Sequence, residues 1–267
     1  MRYEDNPAEN ISKLKEMWAK SPLHYHHRLQ HPRESTPALG FGIAAHMCVL
    51  EPERFRDTYT VRPDWVKGNT KAGKAWLSDH GERTLLTEAN HTQCIAIREA
   101  LSRHPCARVH LERGGEPELA VYWKDDETRM ACKGRVDLFG PRATVGLKTA
   151  RTASPRKFAI DAARFGYHLQ WAYYHDGLIA SGRDPGEMVE LVVESEPPHD
   201  VVVYVIDDET LDIGRDAYRE QLVRLGYCRE HDDWPGAADE EVVFRLPPWA
   251  TPNDDDDLGD LTGLEEK

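Results

Sequence analysis

The sequence predicts a single α/β domain, because a region with helical periodicity is followed by a region with strand periodicity. The chain has 267 residues, 40% hydrophobic and 30% charged, which is ordinary for a globular protein with one substantial core. Apolar residues recur at helical spacing up to about residue 110, and the period then changes to two. We predict a core of order α-β-β-β-α-β with an N-terminal helical decoration.

The N-terminal part is predicted to be helical. Residues 9–20 have helical spacing, and residues 37–50 form an apolar helix that carries His46. A further helix is predicted around residues 72–79, within a charged region. Residues 91–104 form another, which Pro105 stops because proline cannot continue a helix.

Three antiparallel strands are predicted next, at residues 119–123, 130–139 and 143–149. The turn signal Gly140-Pro141-Arg142-Ala143 joins the second strand to the third. A hairpin there gives three facing pairs: Phe139 with Thr144, Asp137 with Gly146, and Arg135 with Lys148. Since side chains alternate by twos along a strand, Asp137, Arg135, Lys148 and position 146 would project from one face.

The C-terminal half is predicted to alternate helix and strand. Ser154-Pro155 opens a helical region that runs to about residue 181, with a break near Gly166. Strands are predicted at residues 190–195 and 201–206, and a charged amphipathic helix at residues 207–230. One domain over residues 1–250 is therefore expected, with a helical part at 1–110 and a core at 111–230. Residues 251–267 are expected to form an acidic, disordered tail.

Composition excludes little beyond membrane proteins. No apolar run approaches the ~20 residues that span a bilayer, and the polar first 20 residues predict no secretory signal. The five cysteines lack CxxC spacing, which favours reduced thiols in a cytoplasmic protein over a zinc site. The net charge of −13 is only a weak argument against nucleic acid, because a basic channel is a local feature.

Several short motifs follow one another in an order typical of one nuclease superfamily. They are Ser21-Pro22-Leu23-His24-Tyr25, Gly42-Ile43-Ala44-Ala45-His46, Thr70-Lys71-Ala72-Gly73-Lys74, Glu118, Cys132-Lys133-Gly134-Arg135-Val136-Asp137, Leu147-Lys148-Thr149-Ala150, and Tyr167-His168-Leu169-Gln170 with Tyr174. The chain resembles the PD-(D/E)xK (restriction-endonuclease-like) superfamily, and within it the RecE-like phage and prophage exonucleases of the exodeoxyribonuclease VIII type. The resemblance covers roughly residues 21–250.

The resemblance implies a Mg²⁺ centre, with Mn²⁺ as a substitute, and a set of residues that serve it. The implied metal ligands are Asp137, His46, Glu118, the Leu147 carbonyl and position 146, and the implied catalytic residues are Lys148, Asp137, Gln170 and Tyr174. The hairpin register supports Asp137 and Lys148 independently, since it places them on one face. Each residue also has an interpretation without function. Asp137 could simply end a strand, Lys148 could be a solvated lysine, and His46 could be a core histidine. Glu118 could lie at the edge of a turn, and the face of Tyr167, Gln170 and Tyr174 could be an aromatic stripe in the core.

Position 146 departs from the superfamily pattern, which has Asp in Asp-x-Lys where this chain has Gly146-Leu147-Lys148. An aspartate there would complete a cluster of two carboxylates and one lysine, so glycine leaves that cluster one carboxylate short. Glu118 is the first candidate to replace the missing group. The glycine fits either natural decay or a deliberate inactivating substitution, and the sequence does not separate the two.

DNA contacts are implied at a second set of positions: Ser21, Arg28, Arg33, Lys74, Arg135 and Tyr167. Serine, arginine and lysine are common phosphate ligands, although a solvated basic surface has the same composition. Tyr167, Gln170 and Tyr174 occur at i, i+3 and i+7, so they share one face of a helix.

Three functions are compatible with these features. The first is a double-strand DNA exonuclease that digests from the 5′ end and leaves a 3′ overhang for a single-strand annealing protein. The resemblance implies that it acts as a homo-oligomeric ring on DNA ends in the cytoplasm of a bacterial host cell, with no membrane partner. The second is a catalytically inactive homologue that binds DNA ends, and the third is a phage scaffold protein.

Overall fold

The computed structural model describes residues 3–31, 36–63, 65–80 and 83–246. The helices in these ranges are α1 (Ile11–Ala19), α2 (Pro22–Gln30), α3 (Pro37–Leu50), α4 (Pro52–Thr58), α5 (Lys71–His80), α6 (Glu88–Arg103), α7 (Pro105–Glu112), α8 (Pro155–Arg164), α9 (Tyr167–Ala180) and α10 (Asp208–His231). The strands are β1 (Tyr59–Val61), β2 (Thr84–Leu86), β3 (Glu116–Lys124), β4 (Ala131–Phe139), β5 (Ala143–Ala150), β6 (Glu187–Glu194) and β7 (Val201–Val205).

A mixed sheet of order β3-β4-β5-β6-β7 forms the centre of the described residues. Strands β5 and β6 pair in parallel, and the other neighbours in this sheet pair antiparallel. The parallel pair is connected through α8 and α9, as parallel strands require a crossover. The predicted α/β class and its α-β-β-β-α-β core are confirmed.

Helices cover both faces of this sheet. One apolar core joins the sheet to α1, α8, α9 and α10, and a second joins its other face to α3, α4, α6 and α7. Strand β6 is buried along Met188–Val193 because it lies between both cores, and such strands are usually continuous apolar runs. Glu190 is the charged residue within that buried stretch.

Local sequence signals account for several boundaries. Asp207 caps α10, since its side chain accepts a hydrogen bond of 2.8 Å from the Thr210 amide. The predicted break near Gly166 separates α8 from α9, and the φ of 63° at this residue is readily adopted by glycine. Helix α6 stops at Arg103, before Pro105, as expected, but a new helix that was not predicted begins at Pro105 itself. Pro105 occupies the first turn of α7, where its missing N–H would have no partner in any case.

The predicted hairpin is confirmed at its turn and is wrong beyond it. The β4–β5 ladder contains Leu138 with Val145 and Phe139 with Thr144, and no further pair. The expected pairs of Asp137 with Gly146 and of Arg135 with Lys148 do not form. Strand β4 instead pairs along its length with β3, where Arg135 faces Ala120. Strands β4 and β5 therefore separate just after the turn and leave a fork in the sheet.

Two further predictions concern the ends and the surroundings of the chain. The acidic tail at residues 251–267 lies outside the described residues, so its predicted disorder stays a prediction. In the part of the chain that the structure describes, no helix combines the length and apolarity needed to cross a membrane.

Candidate metal and phosphodiester site

The fork between β4 and β5 positions the candidate site. The Leu147 amide, which has no ladder partner on β4, donates a hydrogen bond of 2.8 Å to Oδ2 of Asp137. Since buried amides are nearly always paired, this bond replaces the missing ladder contact. It also fixes the Asp137 carboxylate beside the start of the Leu147-Lys148 segment.

Three side chains that could hold a metal meet at this fork. They are His46 from α3, Glu118 from β3 and Asp137 from β4, and one ligand atom from each lies within 4.8 Å of the other two. All three are partly buried, so the group is open to a substrate. Carboxylate oxygens with an imidazole nitrogen form a donor set that suits divalent cations. The residues therefore fit the metal that the sequence implied.

Glu118 reaches this group through an unusual backbone conformation. Its φ is +53°, a left-handed value that a residue with a side chain rarely adopts. The β3–β4 pairs on either side, Pro117 with Leu138 and Leu119 with Val136, place Glu118 across from Asp137. Burial and the nearby Asp137 raise the pKa of the Glu118 carboxyl, so the two acids repel in the absence of a cation.

His46 is poised to act as a neutral ligand. Burial lowers the pKa of its imidazole, and Asp137 opposes this shift only in part. The neutral imidazole is the form that binds metals. The expectation from the sequence, a histidine on an otherwise apolar helix directed at the site, agrees with this position.

Lys148 lies between two carboxylates. Its Nζ is 3.1 Å from Oε1 of Glu190 and 3.9 Å from Oδ2 of Asp137, and its side chain is only 16% exposed. Burial acts to lower the pKa of this lysine, but the two acids outweigh it and raise the pKa above its usual value. Lys148 is therefore a firmly charged ammonium at the site.

Glu190 is the acid that the sequence interpretation missed. Parallel pairing of β5 with β6 places it directly opposite Gly146. A Cβ on Gly146 would lie 2.6 Å from each of its carboxylate oxygens. The sequence analysis named Glu118 as the first candidate to replace the acid missing from position 146, but the acid nearest to that position is Glu190. The available signal was a glutamate in the middle of the apolar run Met188–Val193.

Trp171 completes the surroundings of Glu190. Its ring belongs to the apolar core on this face of the sheet, and its indole N–H donates a hydrogen bond to Oε2 of Glu190. Burial raises the pKa of the Glu190 carboxyl, while the Lys148 ammonium and the Trp171 N–H act in the opposite direction. The carboxylate is 1% exposed and thus depends on these two partners.

The predicted face of α9 points at the same region. The Tyr167 ring lies under the Lys148 ammonium, with 5.5 Å from Nζ to the ring centroid. Oε1 of Gln170 accepts a hydrogen bond of 3.4 Å from Lys15, a residue that the sequence interpretation did not select. Tyr174 lines a cleft together with Asp137, and burial and that acid raise the pKa of its hydroxyl.

Two adjoining cavities of about 500 and 540 Å³ open onto the site. They share Glu4, Glu118 and Arg135 in their walls, and together they form the cleft above the fork. Arg135 is 2.9 Å from Glu4 and 3.7 Å from Glu118, and it stacks on Tyr3. The predicted phosphate ligand Arg135 therefore lies in the wall of the cleft, paired with Glu4 and Glu118.

The other predicted DNA contacts lie elsewhere. Ser21 is buried, and its hydroxyl caps α2 and bonds to His24 Nδ1 at 2.7 Å. Arg28 is half-buried on α2, and Lys74 is exposed on α5. The described residues that line the two cavities do not include these three. Arg33 lies outside the described residues, and the DNA-binding role of all four stays a prediction.

A central mixed sheet, split by a fork that holds acids and a lysine, defines a PD-(D/E)xK-type nuclease fold. The sequence model of the PDDEXK-like domain of unknown function (DUF3799) matches residues 10–247, and the chain belongs to this family. The superfamily predicted from the sequence is confirmed, and its nucleases usually use a divalent metal.

Solved structures support the same fold. The chain is similar to a crystal structure from Eubacterium rectale described as a "putative exonuclease", with a TM-score of 0.61 and 13% sequence identity. The alignment covers 92% of this chain and 95% of that one. No curated protein matches the sequence.

Proposed function

We propose that this protein is a divalent-metal-dependent deoxyribonuclease that digests linear duplex DNA. The observation that carries the proposal is the group of His46, Glu118 and Asp137 within 4.8 Å of one another, at a fork where Lys148 stands 3.9 Å from Asp137. Membership of a PDDEXK-like family supports the same chemistry. Mg²⁺ is the expected metal, with Mn²⁺ as a substitute.

The chain's own residues divide the work of phosphodiester hydrolysis. A divalent cation held by His46, Glu118 and Asp137 would polarise a phosphate oxygen and make water a better nucleophile at neutral pH. The Lys148 ammonium provides positive charge where negative charge develops on the phosphate. The Leu147 amide holds Asp137 in place through its 2.8 Å bond, so the ligand does not reorganise during the reaction. Arg135, which lines the cleft and keeps 38% of its side chain exposed, is suited to the DNA backbone.

The direction and setting of digestion follow from the resemblance to RecE-like exonucleases. We propose digestion of one strand from the 5′ end, release of mononucleotides that carry a 5′-phosphate, and a 3′ overhang passed to a single-strand annealing protein. A homo-oligomeric ring would keep the enzyme on the DNA. The proposed location is the cytoplasm of a bacterial host cell.

A second candidate function is a DNA-end-binding homologue without catalysis. The observation that favours it is the absence of an acid at position 146, where the superfamily pattern has one. A phage scaffold has less support, because a scaffold has no use for a charged lysine held between two acids.

The test is release of nucleotides from linear, 5′-phosphorylated duplex DNA in Mg²⁺, for the wild type and Asp137→Asn. Label at the 5′ or 3′ end of one strand reports the direction. We expect 5′-end release by the wild type and a loss of about 10²-fold or more in the variant, as for removal of a group that stabilises the transition state. The control is Asp176→Asn, which removes a charge from the C-terminal half of α9, away from the proposed metal ligands. Metal-dependent DNA binding without cleavage would instead support the binding protein.

A further inference from the structure

We propose that Glu190 supplies the carboxylate that strand β5 lacks at position 146, and so completes the acid pair of the metal centre from the neighbouring strand. This inference rests on the proposed nuclease function. It concerns a residue outside the Gly146-Leu147-Lys148 segment, on the next strand of the sheet.

The register of the sheet places Glu190 beside Gly146. Gly146 and Glu190 are direct partners in the parallel β5–β6 ladder, as are Lys148 and Val192. Paired residues project from the same face of a sheet, so Glu190 and the side of Gly146 that would carry a Cβ face α9 together. The extra methylene of glutamate, compared with aspartate, lets its carboxylate reach over the adjacent strand.

The Glu190 carboxylate also occupies the space beside Gly146. A Cβ at position 146 would be 2.6 Å from Oε1 and 2.6 Å from Oε2 of Glu190, which is closer than real Cβ contacts. The carboxylate of Glu190 thus fills the volume in which a side chain at 146 would begin. A side chain at 146 and a glutamate at 190 cannot occupy this arrangement together, which explains the glycine without invoking decay.

Glu190 and Asp137 also share one positively charged partner. Lys148 is 3.1 Å from Glu190 and 3.9 Å from Asp137, so one ammonium joins the two acids. This is the cluster of two carboxylates and one lysine that the sequence lacked when it was considered along β5 alone. Asp137 is common to both halves, since it also belongs to the group with His46 and Glu118. Glu190 is not one of these three residues, and Lys148 is what links it to Asp137.

A purely structural ion pair is the competing explanation. Burying a carboxylate is unfavourable, and well-packed apolar residues of similar volume often serve stability equally well. The structural explanation accounts for Lys148 and Trp171 as partners of Glu190. It does not account for the coincidence of the carboxylate with the volume of the side chain absent from position 146.

The experiment exchanges the acid between the two strands. Four proteins are compared with the wild type: Glu190→Gln, Gly146→Asp, the double variant Gly146→Asp/Glu190→Ala, and the control Asp176→Asn. Metal binding is measured without DNA, by titration calorimetry with Mn²⁺ and by the Mn²⁺-induced shift in melting temperature. Nuclease activity is measured separately on linear duplex DNA, and folding is checked by circular dichroism without metal.

We expect Glu190→Gln to bind Mn²⁺ at least about 10-fold more weakly, since even residues that only support metal ligands contribute 10–100-fold. Asp176→Asn should bind as the wild type does. Gly146→Asp should lose stability and gain no affinity, because its new carboxylate meets that of Glu190. The double variant should recover most of the affinity, which a structural role of Glu190 would not produce.

Two results would overturn the inference: wild-type Mn²⁺ affinity in folded Glu190→Gln, or full activity of Gly146→Asp with none in the double variant. If Glu190→Gln does not fold, the double variant decides. Recovery of Mn²⁺ affinity in the double variant would support the proposal that the acid can be supplied from either strand, and a lack of recovery would refute it. A wild type that binds Mn²⁺ through Glu190 but cleaves no DNA would sink the proposed function and leave this inference standing.

Discussion

Helix α9 carries two ionic networks whose electrostatics differ. Near its C-terminal end, Asp176 accepts hydrogen bonds of 2.8 and 2.9 Å from Arg215 and one of 2.7 Å from Tyr218, both on α10. Near its N-terminal end, Trp171 meets the buried pair of Glu190 and Lys148. One network ties two helices together, and the other lies at the fork of the sheet.

The pKa shifts separate the two networks. Burial acts to raise the pKa of Asp176, but hydrogen bonds from His175, Arg215 and Tyr218 outweigh it and hold the pKa well below its usual range. At Glu190 burial prevails, and the pKa is raised despite Lys148 and Trp171. An acid with a lowered pKa stabilises the fold, whereas an acid that stays difficult to ionise is typical of a functional site. Burial of a charge alone would not have distinguished them.

The sharpest test of this contrast compares the two cations. Lys148→Met should lower the rate of DNA cleavage by about 10²–10³-fold, because charge on the developing phosphate is lost. Arg215→Met should leave the rate close to that of the wild type. Rates on linear duplex DNA are measured at a temperature at which both variants are folded, since the lysine variant also removes the charged partner of the buried Glu190. If both variants lost the same fraction of the cleavage rate, the position of α9, and not the charge of Lys148, would limit the reaction.

The second test concerns stability and acid. Asp176→Asn should lower the free energy of unfolding at pH 7 by about 1.5–3 kcal/mol, the usual contribution of hydrogen bonds to a charged group. Because the folded pKa of Asp176 is depressed, its contribution is complete above the unfolded pKa of about 3.9 and is lost as the pH falls below it. Urea unfolding should show that the difference in free energy of unfolding between wild type and variant is smaller at pH 3.5 than at pH 7. A difference that widens in acid would contradict the assignment.

The third and smallest expected effect lies at Lys15, beside the site network. Burial, followed by repulsion from Lys148, lowers its pKa from 10.5 to about 8. Between these values the unfolded chain binds more protons than the folded one, so stability should rise with pH across that window. Urea unfolding at pH 7.5 and 9.5 should show this gain in the wild type and less of it in Lys15→Met. The same gain in both proteins would exclude Lys15 as its source.

Most of the fold could be predicted because its signals are local. The periods of apolar residues predicted α1, α3, α5, α6 and α8 to α10 and the five strands of the central sheet, and the turn after Phe139 predicted the start of the hairpin. Helices α2 and α4 and the short strands β1 and β2 were not predicted. Helix α7 was missed because a proline that ends one helix is equally suited to begin another. The fork was missed because β4 has two possible partners, and β3 competes for it over most of its length.

The site could be predicted only where its residues lie on segments with a recognisable local pattern. Asp137, Lys148, His46 and Glu118 stand in short motifs, and the structure brings them together. Glu190 could not be placed, because its position beside Gly146 depends on the parallel β5–β6 pairing across two intervening helices. No local pattern specifies the register of a parallel pair over such a distance.

The pairing of Gly146 with Glu190 has a consequence for how this family diverges. Since only one carboxylate fits in the space between the two positions, a mutation at either position changes which residues the other tolerates. Relatives should carry an acid at one of the two positions and a small or neutral residue at the other, and intermediates with both acids or neither should be selected against. A sequence motif that requires the acid on the strand of position 146 would then fail to detect active relatives that carry it on the neighbouring strand, at position 190.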